Sequence, residues 1–273
     1  MAQPSETNAQ KRTARPRLTD DSLADAAGGL AVTPCCALIM ATTANPVQAR
    51  LQAVRERIER ACERAGRRSD AVTLVAVSKT FSADLVQAAA QAGQRHFGEN
   101  YVQESMGKIT QLAQAGLPLV WHFIGPIQSN KTRAIAQHFQ WVHSIDREKV
   151  ALRLSEQREP GLAPLEVCLQ VNVSGEATKS GVEPAALPAL AARVARLPRL
   201  RLRGLMTVPE PTADEALQRR RFAELRRLKE GLVSQGLALD TLSMGMSADL
   251  EAAIAEGATM VRVGTSIFGE RSR

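Results

Sequence analysis

The 273-residue sequence predicts an α/β protein, a single (β/α)8 TIM barrel preceded by an N-terminal extra helix. About eight apolar segments alternate with amphipathic helical segments at spacings of ~20–30 residues, which is typical of a closed parallel barrel. No Gly-x-Gly-x-x-Gly turn follows the first strand, which disfavours the alternative, an open doubly wound sheet. No change in composition divides residues 45–273. We therefore predict one barrel domain over that range.

The extra helix is predicted to begin at Asn45-Pro46, with asparagine as the N-cap and proline at the first helical position, and to end near Gly66. A second helix begins after Ser82, and Pro188 is expected to shorten or bend a helix over 183–196. Ser247 is the predicted cap of a helix that ends near residue 256. The predicted strands are 71–80, 95–97, 119–124, 141–145, 165–173, 200–206, 241–245 and 260–263.

The composition is that of a soluble globule with a core of small aliphatic side chains. Hydrophobic residues make up 44% of the chain and aromatic residues 3%. Scarce aromatics argue against single-stranded nucleic-acid binding, which uses aromatic stacking.

The net charge of +7 lies outside residues 1–43, where four basic and four acidic side chains cancel. Much of the excess falls in 193–203 and 219–229. Solvated helix faces are the expected interpretation, and a polyanion-binding surface is the alternative.

The four cysteines form no CxxC pair and no histidine-containing metal spacing. This pattern indicates reduced thiols and a cytoplasmic location. No stretch approaches the ~20 apolar residues of a membrane span, so no membrane partner is expected.

The first 44 residues show no hydrophobic periodicity, and we predict a disordered N-terminal extension there. A weakly apolar run over 26–40 follows basic residues and so faintly resembles a secretory signal. Aspartates interrupt its basic part, and glycines and a proline interrupt its apolar part, which disfavours that alternative. A further hypothesis is that translation starts at Met40, which would make residues 1–39 a start-site artefact. The intact mass of the natively expressed protein tests it.

The first strand ends in a lysine. The run Val72–Val77 is apolar except for Thr73, as in a strand covered on both sides, and Ser78-Lys79 follows at its C-terminal edge. Low-dielectric packing beside such a lysine favours a neutral, nucleophilic amine. Taken alone, Lys79 is better explained as a residue that ends the strand and reaches solvent, because buried lysines are rare.

Two other strand ends suit a phosphate. Gly245-Met246-Ser247 is expected to open a helix whose first N–H groups attract anions, and Gly264-Thr265 adds an accessible backbone and a hydroxyl. The alternatives are that Ser247 is only a cap and Gly264 only a turn glycine. Closing the barrel places the last strand, with Arg262, beside Lys79. The combination predicts a site for a phosphorylated aldehyde, with which the amine would form a Schiff base.

These motifs resemble the pyridoxal-phosphate homeostasis proteins, whose barrel is similar to the N-terminal domain of bacterial alanine racemases. The resemblance covers about residues 45–270. It rests on Leu74-Val-Ala-Val-Ser-Lys79, Phe97-Gly-Glu-Asn-Tyr-Val-Gln-Glu104, Trp121-His-Phe-Ile-Gly-Pro-Ile-Gln-Ser-Asn-Lys131, Gly204-Leu-Met206, Leu242-Ser-Met-Gly-Met-Ser-Ala-Asp249, Val261-Arg-Val-Gly-Thr265 and Ile267-Phe-Gly269.

The resemblance implies a site for pyridoxal 5'-phosphate (PLP) with Lys79 as the Schiff-base lysine and Arg262 beside the pyridine nitrogen. An arginine there leaves the ring nitrogen unprotonated and so weakens carbanion chemistry, although alanine racemases manage with the same arrangement. A histidine inside a barrel strand is more often structural, which is the alternative for His122. The remaining implied residues are Ser247, Gly264 and Thr265 at the phosphate, with Ser243 as a helper, and Asn100, His122 and Met206 around the cofactor.

The resemblance further implies a cytoplasmic, monomeric protein that holds PLP and makes it available, without catalytic turnover. Contacts with PLP-dependent apoenzymes would be transient. Tyr101 is the only tyrosine, and we expect no second domain to supply the second base of a racemase. The alternatives are a PLP-dependent amino-acid racemase, a cofactor-free Schiff-base aldolase on the same barrel, and a polyanion-binding module.

Overall fold

The computed structural model describes residues 45–175 and 180–270. The predicted disordered extension, residues 1–44, lies outside them. In the described part the strands are β1 Thr73–Val77, β2 His96–Glu99, β3 Val120–Phe123, β4 Trp141–Ile145, β5 Leu165–Gln170, β6 Leu200–Met206, β7 Thr241–Ser243 and β8 Met260–Val263. The helices are α1 Pro46–Arg64, α2 Ala83–Gln91, α3 Val102–Gln114, α4 Thr132–His138, α5 Glu148–Gln157, α6 Leu187–Val194, α7 Glu215–Ser234, α8 Leu250–Ala255 and α9 Thr265–Phe268.

The eight strands form a closed parallel barrel in the order of the sequence. Closure occurs at β1, which pairs with β2 through Ala76 and Phe97 and with β8 through Thr73 and Met260. The predicted barrel is confirmed, and the open doubly wound alternative is wrong. All strands are parallel, so their carboxyl ends meet at one mouth, which is where barrel enzymes place their sites.

Alternating side chains divide the buried residues of the barrel into two sets. One set, which includes Phe97 and Phe123, packs between the sheet and the helices. The other fills the barrel interior and contains Val75, Trp141, Cys168, Met206 and Met260. The interior also holds polar side chains, which bear on the site described below.

The predicted extra helix is confirmed as α1. The Asn45 side chain accepts a hydrogen bond from the Val47 N–H at 3.0 Å, and Gly66 follows the helix with φ of +63°. The apolar stripe that includes Leu51 packs α1 against α8 and α9 on one side and α2 on the other. The helix therefore contacts both the first and the last helices of the barrel's outer ring.

Two local predictions need correction. Ser247 does not cap α8, because the helix begins at Leu250 and has Asp249 at its N-cap position. The Asp249 carboxylate instead accepts the Met246 N–H at 2.6 Å. The helix predicted over 183–196 is divided, with a 3-10 turn over Pro184–Ala186 preceding α6. This division agrees with the expectation that Pro188 would shorten the helix.

The arginines that carry much of the excess charge are largely engaged in ion pairs. Glu166 pairs with Arg201 at 2.8 Å and Arg203 at 3.0 Å. Glu256 pairs with Arg219 at 2.9 Å and Arg226 at 3.2 Å. Carboxylates among the arginines favour the solvated-face interpretation over a polyanion surface.

Within the described residues, no helix is long and apolar enough to cross a membrane.

Candidate functional site

A cavity of about 380 Å³ opens at the carboxyl ends of β1 and β8. We call it the Lys79 cavity. It brings together six of the nine predicted site residues: Lys79, Asn100, Ser247, Arg262, Gly264 and Thr265. Among the described residues that line it, two are cations and none is a carboxylate. This balance suits a negatively charged ligand of small-molecule size.

Lys79 lies in a turn directly after β1 and is half-buried. The backbone of the next residue, Thr80, has φ of +68°, and in the described part of the chain it is the one non-glycine residue with positive φ. A β-branched residue in this region is strained, and such strain concentrates at functional sites. The Thr80 N–H donates to Glu104 Oε1 at 2.6 Å, which holds the turn.

A buried ion-pair cluster fixes the backbone before Lys79. Lys108 Nζ donates to the Ser78 carbonyl at 2.6 Å, to Glu99 Oε1 at 2.9 Å and to Glu104 Oε1 at 2.6 Å. The Ser78 hydroxyl donates to Glu99 Oε1 at 2.6 Å. Burial raises the pKa of Glu99, and the bonds from Lys108 and Ser78 oppose that shift. Sequence reasoning missed this cluster, although Glu104 and Lys108 have the i, i+4 spacing of a helical ion pair.

Arg262 projects from β8 and is 4% exposed. Its guanidinium donates to Ser243 Oγ at 2.7 Å and to the Thr207 carbonyl at 2.8 Å. Burial lowers its pKa to about 10, so it remains a cation at neutral pH. The two hydrogen bonds fix one side of the guanidinium on protein groups, while the side chain borders the cavity.

Three predicted residues are buried in the protein and are not among the described residues that line the cavity. Ser243, His122 and Met206 are all 0% exposed. Met206 packs in the barrel interior with Trp141 and Cys168. Ser243 and His122 belong to a hydrogen-bonded column that ends at Arg262. Ser243 and His122 are therefore connected to the cavity through Arg262, which lines it.

The candidate phosphate end of the cavity is formed by Ser247, Gly264 and Thr265. Gly264 is the N-cap of α9 and precedes Thr265, its first residue. The first N–H groups of a helix point beyond its start. The glycine also has a packing role, since a Cβ at position 264 would lie 3.0 Å from the Val77 carbonyl oxygen. Both interpretations of this glycine therefore have a structural basis.

Asn100 supplies an unsatisfied acceptor beside the cavity. Its Oδ1 is buried and has no hydrogen-bond partner. Such atoms are rare in folded proteins and indicate a missing partner, such as a ligand or water. Gly125 permits the loop after β3 to lie against Asn100, because a Cβ there would come within 2.4 Å of the Asn100 carbonyl oxygen.

Sequence reasoning missed most of the apolar lining of the cavity and named only Met246, as part of the segment expected at the phosphate. The apolar lining consists of Val77, Phe81, Ile124, Val208, Met246 and Ala248. No chemical signal distinguishes these side chains from ordinary core residues.

A larger cavity of about 910 Å³ shares Met246 and Ala248 with the Lys79 cavity. Its other lining residues include Asp249 and Glu251 and contain no lysine among those described. It lacks the amine on which the predicted chemistry depends. Within the described residues, no group of three or more His, Cys, Asp or Glu side chains could hold a metal ion.

Comparison with known proteins places this geometry in a family. Residues 49–272 match the family model described as alanine racemase, N-terminal domain. The chain is 64% identical over 218 residues to the pyridoxal phosphate homeostasis protein of Pseudomonas aeruginosa, covering 80% of this chain and 93% of that protein. It is 50% identical over 228 residues to the protein of the same name from Escherichia coli, covering 83% and 97%.

Solved structures agree with these matches. PipY of Synechococcus elongatus, whose structure has PLP bound, is 37% identical with a TM-score of 0.72, covering 82% of this chain and all of that one. The alanine racemase of Corynebacterium glutamicum is 17% identical with a TM-score of 0.58, covering 80% of this chain and 60% of that one, and shows the fold alone. The chain belongs to the alanine racemase N-terminal-domain family and, within it, to the pyridoxal phosphate homeostasis proteins.

Proposed function

We propose that the chain binds PLP in the Lys79 cavity and holds it available to other proteins without catalytic turnover. The proposal includes a cytoplasmic, monomeric protein that contacts PLP-dependent apoenzymes transiently. The observation that carries it is that Lys79, Arg262, Ser247 and Thr265 line one cavity. Their side chains supply an amine, a guanidinium and two hydroxyl groups. The names of the two curated relatives and the PLP bound to PipY support it.

The residues present fit PLP on several counts. The cavity volume of about 380 Å³ lies within the ~300–1,000 Å³ of small-molecule sites. Ser247 and Thr265 would hold the phosphate, together with the backbone at the start of α9. Arg262 would serve the ring-nitrogen end, and the unpartnered Asn100 Oδ1 would accept a hydrogen bond from the ligand or from a water beside it. PLP supplies an aldehyde that condenses with a primary amine, and Lys79 is the proposed amine.

The protein's own groups position this amine. Glu104 and Lys108 hold the turn on both sides of Lys79 through the Thr80 N–H and the Ser78 carbonyl. The apolar side chains of Val77, Phe81 and Ile124 form part of the cavity wall. Such preorganisation favours tight holding of a ligand, because few groups have to be ordered on binding.

Two observations favour holding over turnover. Tyr101, the only tyrosine, is 54% exposed and is not among the described residues that line the Lys79 cavity. The cavity lining therefore contains no tyrosine to act as a second base. Arg262, whose lowered pKa of about 10 still keeps it charged, is a poor proton donor to a ring nitrogen at neutral pH. The arginine weakens carbanion chemistry but does not by itself separate holding from turnover, since the resemblance implies the same arrangement in alanine racemases. The racemase is therefore the alternative that an amino-acid turnover assay tests.

Borohydride reduction of the protein mixed with PLP, followed by peptide mass mapping, tests the proposal. We expect a reduced pyridoxyl group on Lys79, and none on that site in Lys79→Ala. Lys149→Ala, which changes an exposed lysine on α5, is the matched control and should label as wild type does. Labelling spread over surface lysines, with Lys79 unmodified, would refute the site. Amino-acid turnover that is lost in Lys79→Ala would refute the non-catalytic role, and sedimentation analysis checks the monomer.

A further inference from the structure

A column of polar side chains crosses the barrel interior. His96 Nδ1 lies 2.9 Å from His122 Nε2, and His122 Nδ1 lies 2.8 Å from His143 Nε2. His143 Nδ1 lies 2.7 Å from Ser243 Oγ, which also accepts a hydrogen bond from Arg262 Nη1 at 2.7 Å. We call His96, His122, His143 and Ser243 the histidine column.

The column joins two separate openings of the barrel. Its upper end is Ser243, which accepts a hydrogen bond from Arg262, and Arg262 lines the Lys79 cavity at the carboxyl ends of the strands. Its lower end is half-buried His96, the first residue of β2, which lines a different cavity of about 420 Å³ at the amino-terminal end. His122, His143 and Ser243 between them are 0% exposed. Nothing in the proposed function uses this connection.

The three hydrogen bonds force the rings to share one tautomer. A neutral imidazole has one N–H and one acceptor nitrogen. If His122 carries its proton on Nε2, it donates to His96, and its Nδ1 must accept from Nε2–H of His143. His143 Nδ1 then accepts from the Ser243 hydroxyl. We call this arrangement, with the proton on Nε2 of all three rings, the ε state.

The opposite arrangement, which we call the δ state, places the proton on Nδ1 of all three rings. His96 then donates to His122, His122 donates to His143, and His143 donates to Ser243 Oγ. That oxygen also accepts from Arg262, so the serine hydroxyl hydrogen has no acceptor among the described residues in contact with it. An unsatisfied buried donor is costly. The ε state is therefore favoured when all three rings are neutral.

Protonation of His96 reverses this preference. An imidazolium ion donates from both nitrogens, so His96 Nδ1 must then donate to His122 Nε2. This contact is compatible only with the δ state of His122 and His143. In the δ state Ser243 Oγ accepts two hydrogen bonds and donates none to the column, and it becomes a poorer acceptor for Arg262.

We propose that the histidine column is a tautomeric switch, in which protonation of His96 at the amino-terminal mouth reverses every hydrogen bond up to Ser243 and loosens the positioning of Arg262 in the Lys79 cavity. His96, His122 and His143 are thus positioning residues that act on the cavity through Ser243. The switch is a property of the chain itself and does not depend on the proposed cofactor.

The charged groups around the column allow this assignment. Four charged residues line the lower cavity with His96: Arg55 and Glu59 of α1, Asp70 of the turn before β1, and Arg95, which directly precedes β2. These two cations and two carboxylates leave that mouth without an excess of either charge. Burial lowers the pKa of His96. Burial also lowers the pKa of His122. Burial, with a contribution from the charge of Arg262, lowers the pKa of His143 to about 3.

The column thus has one ring with access to water and two that remain neutral. Acidification below about pH 6.5, the ordinary pKa of histidine, should charge His96 first.

Long-range ¹H–¹⁵N correlation spectra of the full chain, labelled in histidine and arginine and without added cofactor, test the switch. At pH 8 we expect Nε2–H tautomers for all three rings. On acidification His122 and His143 should change to Nδ1–H, still neutral, with the midpoint at which His96 gains its charge. The Arg262 guanidinium resonances should move with the same midpoint. Arg158 is the control, since it is also buried but donates only to backbone carbonyls remote from the column.

His96→Gln is the matched variant, because its side-chain amide can donate or accept but does not titrate. It should keep the column and lose the pH-dependent change at His122, His143 and Arg262. The proposal would be overturned if the three rings had different tautomers at pH 8. It would also be overturned if His96 titrated in the wild-type chain while the other two rings stayed unchanged. Equal movement of Arg158 and Arg262 would overturn the link to the cavity. The wild-type titration decides these points even if the variant folds poorly.

Discussion

The Nζ of Lys108 lies 2.6 Å from the carbonyl oxygen of Ser78, the residue that precedes Lys79. Lys108 therefore ties α3 directly to the end of β1. Both Lys108 and its ion-pair partner Glu99 are buried, with side chains 7% and 0% exposed. The position of the candidate reactive amine thus depends on a charge pair in the protein interior.

Replacement of Lys108 by methionine should strongly destabilise the protein. It leaves Glu99 buried without its cation, and removing one partner of a buried pair costs about 3–5 kcal/mol. Urea unfolding at pH 7 measures the loss. The double variant Lys108→Met/Glu99→Gln should recover part of it, because no buried charge remains. Lys149→Met, on the exposed face of α5, should stay within about 0.5 kcal/mol of wild type. Equal losses in the single and double variants would contradict this account.

Replacement of Thr80 by glycine should stabilise the fold. The φ of +68° costs a β-branched residue about 1–3 kcal/mol, whereas glycine lowers stability by about 0.4–1 kcal/mol through unfolded-state entropy. The net gain is about 1 kcal/mol, measurable by urea unfolding. Thr80→Ala keeps a Cβ at positive φ and should gain less. A less stable glycine variant would show that the turn is not strained.

The barrel could be predicted because its signal is repeated. Each strand is an apolar run that ends at polar or small residues. An error in one boundary does not change the topology: β1 was predicted to begin at residue 71 and begins at Thr73. The cavity residues could be predicted because parallel strands bring their ends to one mouth. Lys79 and Arg262 are distant in sequence, yet β1 and β8 are neighbours once the barrel closes.

The histidine column could not be predicted, because it depends on register. His122 lies opposite Gly98 and Trp141 in the neighbouring strands, so contact with His96 and His143 is diagonal. One polar residue within an apolar strand gives no indication of such alignment. The prediction that Ser247 caps α8 was wrong because the sequence does not distinguish between two possible caps. Asp249 bonds the Met246 N–H, and a serine and an aspartate two residues apart are equally plausible caps.

Acid should destabilise the protein through its two fully buried histidines. Burial lowers the pKa of His122 well below its ordinary value and that of His143 to about 3, whereas both are about 6.5 in an unfolded chain. The unfolded chain therefore binds more protons below pH ~6.5, so the free energy of unfolding falls as the pH falls towards the folded values. Each ring contributes a slope of up to about 1.4 kcal/mol per pH unit.

Calorimetric unfolding at pH 5 in buffers of different ionisation enthalpy measures this uptake. The two rings should together take up about two protons. Glu99, whose pKa burial raises, acts in the opposite direction, so the comparison is made with His143→Gln, in which uptake should fall by about one proton. An unchanged uptake in that variant would show that His143 is already charged in the folded protein.

Cys62 and Cys168 should be inert to thiol reagents in the folded protein. Both are free and buried. Burial raises the pKa of the Cys62 thiol and raises that of Cys168 to about 12, which leaves little thiolate, the reactive form, at pH 8. Iodoacetamide labelling with peptide mass mapping of these two sites tests this. Neither should be modified within the time that fully labels the urea-unfolded chain. Cys168 packs beside Met206 in the barrel interior, so its modification without unfolding would show that the barrel opens beneath the Lys79 cavity.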